Sequence, residues 1–299
     1  MPEEGMQWRQ RDELLTFEEI TRFVRIAASS GVTKIRLTGG EPLMRKELWK
    51  LVRLIRGVEG IEDIALTTNG YFLKEQSAKL VEAGLHRINV SLDSLEPNSF
   101  NAMARRDHLA RVWDGIEEAE RLGLNPIKLN VVLIRGINDD QILKFAELAR
   151  TRRFVVRFIE FMPIGNNDGW SNDKVVTTED VLATINAHMP QLLLPQPNRH
   201  SPAERFVFAD GIGEIGFISS VSEPFCGACN RIRLTSDGKL RSCLFSLHET
   251  DLRALLRGGA SDSEISGILS AAVWKKEEGH LINRPGFVRP ERTMSQIGG

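Results

Sequence analysis

The sequence predicts an α/β protein built on a parallel, barrel-like sheet. From residue 16 to about residue 190, apolar strand-like segments alternate with amphipathic helices, and polar residues recur where successive strands end. Such alternation is typical of a parallel sheet with crossover helices. Because the carboxyl ends of barrel strands meet at one mouth, the polar residues favour a complete or partial (β/α) barrel over an open sheet.

The elements follow one another with short connections. Thr16 and Glu19 form a capping-box pattern that predicts a first helix to about Ala28. Of six strand-like segments, the clearest are TKIRLTGG, DIALTTNG, RINVSLDS, IKLNVVLI and FVVRFIEFM. Helices are predicted after them at RKELWKLVRLIRGV, KEQSAKLVEAG, ARVWDGIEEAERLG, DDQILKFAELARTR and TTEDVLATINAHM. The polar strand ends are 38–41, 67–69, Ser91 with Asp93, and Glu160.

The pattern changes near residue 190. We therefore expect a barrel region over residues 1–190 and a C-terminal α+β layer over 191–299 that ends in a Gly-Gly tail. This layer contains short strands with glycine turns, a turn at Ser236-Asp237-Gly238-Lys239 before the third cysteine, and then helices near DLRALLRGG and SDSEISGILSAAVWKK.

The composition narrows the functional classes. The chain has 299 residues and a formal net charge of -1, so no overall field attracts nucleic acid or a membrane. The sequence shows no bilayer-spanning run and no signal peptide, so we expect a cytoplasmic protein without structural disulfides.

All three cysteines, Cys226, Cys229 and Cys243, lie within one C-x2-C-x13-C stretch. Three interpretations are open: buried core thiols, structural zinc with His248 as a fourth ligand, or a [4Fe–4S] cluster with one open iron. Arg231 and Arg233 are two residues apart, so on a strand they share a side and suit a polyphosphate. The alternative for the two arginines is a surface pair bound to carboxylates.

Several segments together resemble one enzyme family. They are TKIRLTGGEPLMR, LTTNG, RINVSLDS, LNVVLIRGINDDQI, RFIEFMPIGNNDGW, FCGACNRIRLTSDGKLRSCLF and the terminal IGG. The chain resembles the GTP 3′,8-cyclases, which are radical SAM enzymes of molybdenum cofactor biosynthesis. The resemblance implies an incomplete (β/α)6 barrel whose mouth is closed by the C-terminal layer and its auxiliary cluster. It also implies that a radical from S-adenosylmethionine (SAM) removes the ribose C3′ hydrogen of GTP, after which C3′ bonds to guanine C8.

The resemblance also assigns site residues. It implies that the three cysteines bind an auxiliary [4Fe–4S] cluster and that the Gly-Gly tail enters the active site. The implied SAM contacts are Gly40, Glu41, Ser91 and Met162. The implied GTP contacts are Lys34, Arg36, Thr67, Lys128, Arg157, Arg231 and Arg233. It further implies a homodimer, a reductant, and cyclic pyranopterin monophosphate synthase as the downstream enzyme.

One family feature is absent from this sequence. The family binds a second, SAM-cleaving [4Fe–4S] cluster through an N-terminal C-x3-C-x2-C loop, and the opening MPEEG resembles the residues after that loop. We therefore expect the first barrel strand to be missing and this chain to be unable to cyclise GTP. A misassigned start codon, a trimmed product and a variant that lost the chemistry are three explanations. A noncatalytic protein that binds GTP and zinc or one cluster is the alternative function.

Overall fold

The structure, a computed structural model, describes residues 9–165, 169–189, 191–193 and 203–298. The opening MPEEG segment and the final Gly299 lie outside the described residues.

One eight-stranded sheet organises the fold. Its strands are β1 Lys34–Leu37, β2 Asp63–Thr68, β3 Arg87–Ser91, β4 Lys128–Leu133, β5 Val155–Glu160, β6 Gln191–Leu193, β7 Glu204–Phe208 and β8 Glu214–Ile218. Their spatial order is β1-β2-β3-β4-β5-β8-β7-β6. Neighbours from β1 through β5 to β8 are parallel, whereas β7 is antiparallel to both β8 and β6. The predicted α/β class with a barrel-like, mostly parallel sheet is confirmed.

Helices follow most of the parallel strands. They are α1 Phe17–Ser29, α2 Leu48–Arg56, α3 Leu73–Glu82, α4 Pro97–Ala104, α5 Leu109–Arg121, α6 Ile142–Thr151, α7 Thr178–Asn186, α8 Leu252–Arg257, α9 Asp262–Trp274 and α10 Met294–Ile297. The capping box of α1 is confirmed, since the Thr16 hydroxyl accepts from the Glu19 N–H and the Glu19 carboxylate accepts from the Thr16 N–H. No helix in the described ranges is long and apolar enough to cross a membrane.

The two faces of the parallel strands differ in chemistry. Side chains alternate between faces along a strand, and one set of alternate positions is fully buried and apolar against the helices. This set includes Ile64, Leu66, Ile88, Val90, Leu129 and Val131. The remaining positions form the opposite face, which we call the concave face, and many of them are polar. Burial of the apolar set therefore fixes which residues the sheet presents on the concave face.

The C-terminal region joins the main sheet and also packs on the outside of the molecule. Strands β6, β7 and β8 continue the sheet from β5, so the sheet is continuous across residue 190. Farther along the chain, α8 and α9 pack against α1 through a separate apolar cluster that includes Phe23, Leu252 and Ile265. The C-terminal region is thus attached to β5 through β8, and to α1, the helix before β1, through α8 and α9.

A small second sheet carries the cysteine region. It consists of β9 Arg233–Leu234, β10 Lys239–Arg241 and β11 Thr250–Asp251, in the order β11-β10-β9 with antiparallel neighbours. The predicted turn between β9 and β10 is present, and Gly238 adopts φ +80° there. A Cβ atom at Gly238 would lie 2.5 Å from the Arg253 Cβ, so both backbone conformation and space require glycine.

Candidate active site

The concave face carries four basic side chains without salt bridges in the described ranges. Lys34 and Arg36 lie on β1, Lys128 begins β4, and Arg157 is in β5. Strand register places Arg36 level with Ala65 of β2, and it places Arg157 level with Asn130 of β4. Because these positions alternate with the buried apolar set, the four cations share one face.

The pKa shifts of Arg36, Lys128 and Arg157 agree with a shared, partly buried position on this face. Burial, and then the charge of Arg231, lower the pKa of Arg36. Burial and the charge of Arg36 lower the pKa of Arg157 to about 10. Burial and the charge of Arg157 lower the pKa of Lys128 to about 8. The charges of these side chains lower one another's pKa values only if the side chains lie close together. The curvature of the sheet therefore brings β1, β4, β5 and the C-terminal layer near one another.

Two further arginines on this face were missed from the sequence. The Arg87 Nε atom donates to Asp63 Oδ1 at 2.9 Å, and the Arg205 Nε atom donates to Glu214 Oε1 at 2.9 Å. Each arginine is therefore neutralised by a carboxylate on a neighbouring strand. The sequence contained a clue to Arg87, since polar residues recur at every second position from Arg87 to Ser91.

The residues assigned to SAM lie at the carboxyl ends of the strands. Gly40 and Glu41 follow β1, Ser91 ends β3, and Met162 lies two residues beyond β5. Ser91 and Gly40 are exposed, whereas Met162 packs against a small apolar cluster that also contacts Cys243. The mouth of the sheet and the cysteine region are therefore adjacent.

The Glu41 carboxylate accepts three hydrogen bonds from protein donors. Its Oε1 atom accepts from the Thr68 hydroxyl at 2.8 Å and the Leu43 N–H at 2.9 Å, and its Oε2 atom accepts from the Asn69 N–H at 2.7 Å. Burial raises the pKa of Glu41 in spite of these bonds. Glu41 thus ties the glycine turn after β1 to the end of β2, where Thr67 lies.

The three cysteines are free, half-buried thiols. Burial, with smaller contributions from Cys243 and Cys229, raises the pKa of Cys226. Burial alone would also raise the pKa of Cys229, but the N–H and guanidinium of Arg231 and the charge of Lys276 lower it to about 7. Lys276 Nζ lies 3.4 Å from Cys229 Sγ. Cys229 is therefore in an environment that favours the thiolate, the form that binds metals.

The two arginines of the cysteine segment have different partners. Arg231 precedes β9 rather than lying in it, and its Nε atom is 3.4 Å from Cys229 Sγ. Arg233 lies in β9 and donates to the carbonyl of Gly298. A Cβ atom on Gly298 would lie 2.7 Å from Thr38 Cγ2, so the C-terminal tail passes close to the end of β1.

Within the described residues, no three side chains of His, Cys, Asp or Glu are grouped to hold a single metal ion. His248, the possible fourth ligand of a zinc site, is exposed. A cubane takes one thiolate per iron, so its protein ligands are spaced more widely than the ligands of one ion.

Two family models match consecutive parts of the chain. The Radical SAM superfamily model matches residues 3–149, and the Molybdenum Cofactor Synthesis C model matches residues 154–282. A curated GTP 3′,8-cyclase of Pelotomaculum thermopropionicum is 46% identical over 100% of this chain and 92% of its own length. The chain belongs to the GTP 3′,8-cyclase family.

Two further curated relatives from this radical SAM enzyme family have the same name. The GTP 3′,8-cyclases of Moorella thermoacetica and Streptomyces coelicolor are 45% and 43% identical over 100% of this chain, which spans 92% and 88% of their lengths. Among solved structures, TYW1 with a lysine-pyruvate adduct bound has 15% identity and a TM-score of 0.46, covering 64% of this chain and 67% of that one.

Membership in a radical SAM family implies SAM and an iron–sulfur cluster in general, and the cysteine region fits such a group. It offers three accessible thiols with cationic neighbours. Gly279 packs closely against the first thiol, because a Cβ atom there would lie 3.1 Å from the Cys226 Cβ. The donor chemistry of the three thiols suits a cluster bound at this point.

Proposed function

We propose that this protein is a GTP 3′,8-cyclase that acts in the first step of molybdenum cofactor biosynthesis. The observation that carries the proposal is the group of cations on the concave face that form no salt bridge within the described residues, of which Arg36 lies near enough to Arg231 of the cysteine segment for its pKa to be lowered. Clustered cations in a partly buried space are unfavourable unless an anion binds among them. A nucleoside triphosphate satisfies that requirement, and the names of relatives that match the whole of this chain support GTP as the substrate.

The residues take the following roles in the proposal. Cations of the barrel and of the cysteine segment bind the triphosphate, with the Thr67 hydroxyl as a further contact to GTP. These cations are Lys34, Arg36, Lys128, Arg157, Arg231 and Arg233. SAM binds at the mouth through Gly40, Ser91 and Met162, where Glu41 fixes the glycine turn. The reaction removes the C3′ hydrogen of GTP and joins C3′ to C8 of guanine.

Cys226, Cys229 and Cys243 would hold the auxiliary cluster. When bound, that cluster supplies one iron without a protein ligand, to which GTP can bind. The three cysteines account for one cluster, and the chain contains no other cysteine. We therefore propose that this 299-residue chain by itself binds GTP but does not cleave SAM.

The proposal extends to partners and location. We expect a cytoplasmic homodimer, a reductant as electron donor, and cyclic pyranopterin monophosphate synthase as the enzyme that consumes the product. The predicted division into residues 1–190 and 191–299 also remains a proposal, as does a requirement for the Gly-Gly tail in turnover by a form that also carries the ligands of the SAM-cleaving cluster.

The test is an anaerobic reconstitution with iron and sulfide. We expect about four irons per chain, binding of GTP in preference to ATP, and no 5′-deoxyadenosine from SAM and dithionite. One zinc and no iron would favour a structural metal site. Loss of preference for GTP would overturn the substrate, and cyclised product from this chain would overturn the proposed inactivity.

A further inference from the structure

Asn89 lies at the centre of the concave face, and neither the sequence motifs nor the family resemblance assigns it a role. It is buried on β3, with 3% of its surface exposed. The strand register places Asn89 level with Thr67 on one side and Lys128 on the other. Both neighbours are proposed contacts of GTP.

The Asn89 side chain joins two of the proposed GTP contacts. Its Nδ2 atom donates to Thr67 Oγ1 at 3.1 Å and to the Leu66 carbonyl at 3.3 Å. Its Oδ1 atom accepts from an Arg157 terminal nitrogen at 3.4 Å. Strand β4 separates β3 from β5, so this contact spans the curvature of the sheet. Because the Nδ2 atom donates on one side and the Oδ1 atom accepts on the other, the Asn89 amide is held in one orientation.

The neutrality of Asn89 distinguishes Arg157 from two other arginines of this face, Arg87 and Arg205. Arg87 and Arg205 are each bound to a carboxylate, Asp63 or Glu214. Arg157 instead meets an amide, which orients the guanidinium without cancelling its charge. An arginine held in this way keeps its full charge for a phosphate.

We propose that Asn89 is a positioning residue for the triphosphate of GTP, acting by orienting Arg157 and the Thr67 hydroxyl toward the substrate. This inference rests on the proposed function. It predicts that Asn89 discriminates between nucleotides by the length of their phosphate chain.

The test compares the dissociation constants of GTP and GMP for the reconstituted chain and its Asn89→Asp variant, measured by equilibrium dialysis at pH 7. The variant keeps the shape and the acceptor for Arg157, loses both donated bonds, and adds a negative charge. A charge ~6 Å from a phosphate at an effective dielectric of ~20 weakens binding by roughly 100-fold per phosphate charge. We expect the affinity for GTP to fall by at least this factor, and the GTP-to-GMP affinity ratio to fall by at least about tenfold.

Asn138→Asp is the matched control, because Asn138 is also buried and its amide donates to the carbonyls of Asp93 and Val132. It should lower Tm but leave the affinity ratio unchanged. If Asn89→Asp does not fold, Asn89→Ser replaces it. A serine side chain is too short to reach Arg157, so the loss of this hydrogen bond should lower the GTP-to-GMP affinity ratio roughly fivefold.

The outcomes separate the two proposals. No binding of GTP by the parent chain would refute the proposed function. Binding by the parent chain with an unchanged GTP-to-GMP ratio in the Asn89 variants would refute the positioning role alone. An equal loss of the ratio in Asn138→Asp would also refute it, because the effect would then be structural.

Discussion

Replacing Lys128 with methionine should stabilise the protein in the absence of GTP. Burial and the charges of Arg157 and Arg87 lower the pKa of Lys128 from 10.5 to about 8. Each unit of pKa corresponds to about 1.4 kcal/mol, and solvent screens part of this effect because the side chain is partly exposed, so the charged lysine destabilises the folded chain by about 2 kcal/mol at pH 7. Methionine fills similar space without charge, and removal of the ammonium should recover that free energy.

The effect of Lys128→Met should depend on pH in a defined direction. The folded-state pKa lies below the unfolded-state value, so the unfolded chain binds more protons between about pH 8 and pH 10.5. The parent protein therefore gains stability as pH rises through this window. The advantage of the variant should be complete below about pH 8 and fall to less than ~1 kcal/mol at pH 10.

Urea unfolding of the cofactor-free proteins at pH 7 and pH 10 measures this difference, provided that the m-values agree. Lys74→Met is the matched control, since Lys74 is exposed on α3 and pairs with Asp114. It should change the free energy of unfolding by no more than ~0.5 kcal/mol at pH 7. A destabilised Lys128→Met variant, or the same difference at both pH values, would refute the reasoning.

Two further predictions concern contacts of the C-terminal layer. Glu160→Gln should lower the free energy of unfolding by about 2 kcal/mol in urea titrations, because the buried carboxylate accepts from the N–H groups of residues 221–222 at 2.7 and 2.8 Å. Lys276→Met should lower the iron retained per chain after reconstitution, because Lys276 Nζ donates to the carbonyl of Cys229 at 2.8 Å and holds the ligand loop. The measurement is a colorimetric iron assay.

Neighbouring or exposed residues provide the controls. Glu59→Gln alters an exposed carboxylate and should leave the unfolding free energy within ~0.5 kcal/mol. Lys275→Met alters the exposed lysine next to Lys276 and should retain the iron of the parent chain. Parent-like stability in Glu160→Gln would contradict the anchoring role of that carboxylate, and parent-like iron in Lys276→Met would contradict the role of Lys276 in holding the loop.

Local patterns in the sequence were sufficient for much of the fold. The Thr16 capping box, the turn at Gly238 and the alternating strands depend on residues close together in the chain, and the structure contains all of them. The same alternation accounts for the position on the concave face of Lys34 and Arg157, which only the family resemblance had assigned to GTP. Period-two spacing on strands needs no knowledge of distant contacts.

Features that depend on distant parts of the chain could not be predicted from local sequence patterns. The parallel pairing of β8 with β5 has no local pattern, because β8 is short and follows an antiparallel neighbour. Lys276 reaches Cys229 from the end of a helix, and no spacing rule connects the two. Helix α4 was missed although Pro97 occupies its first turn, where proline is favoured.

The position of β8 in the sheet has a consequence for synthesis of the protein on the ribosome. Strand β5 has β4 on one side and β8 on the other, and the chain between β5 and β8 includes α7 and the antiparallel strands β6 and β7. Until Ile218 has left the ribosomal tunnel, the nascent chain carries β5 with an open hydrogen-bonding edge. Such an edge recruits other strands, and the long segment between β5 and β8 prolongs its exposure during translation compared with the edges of β1 to β4.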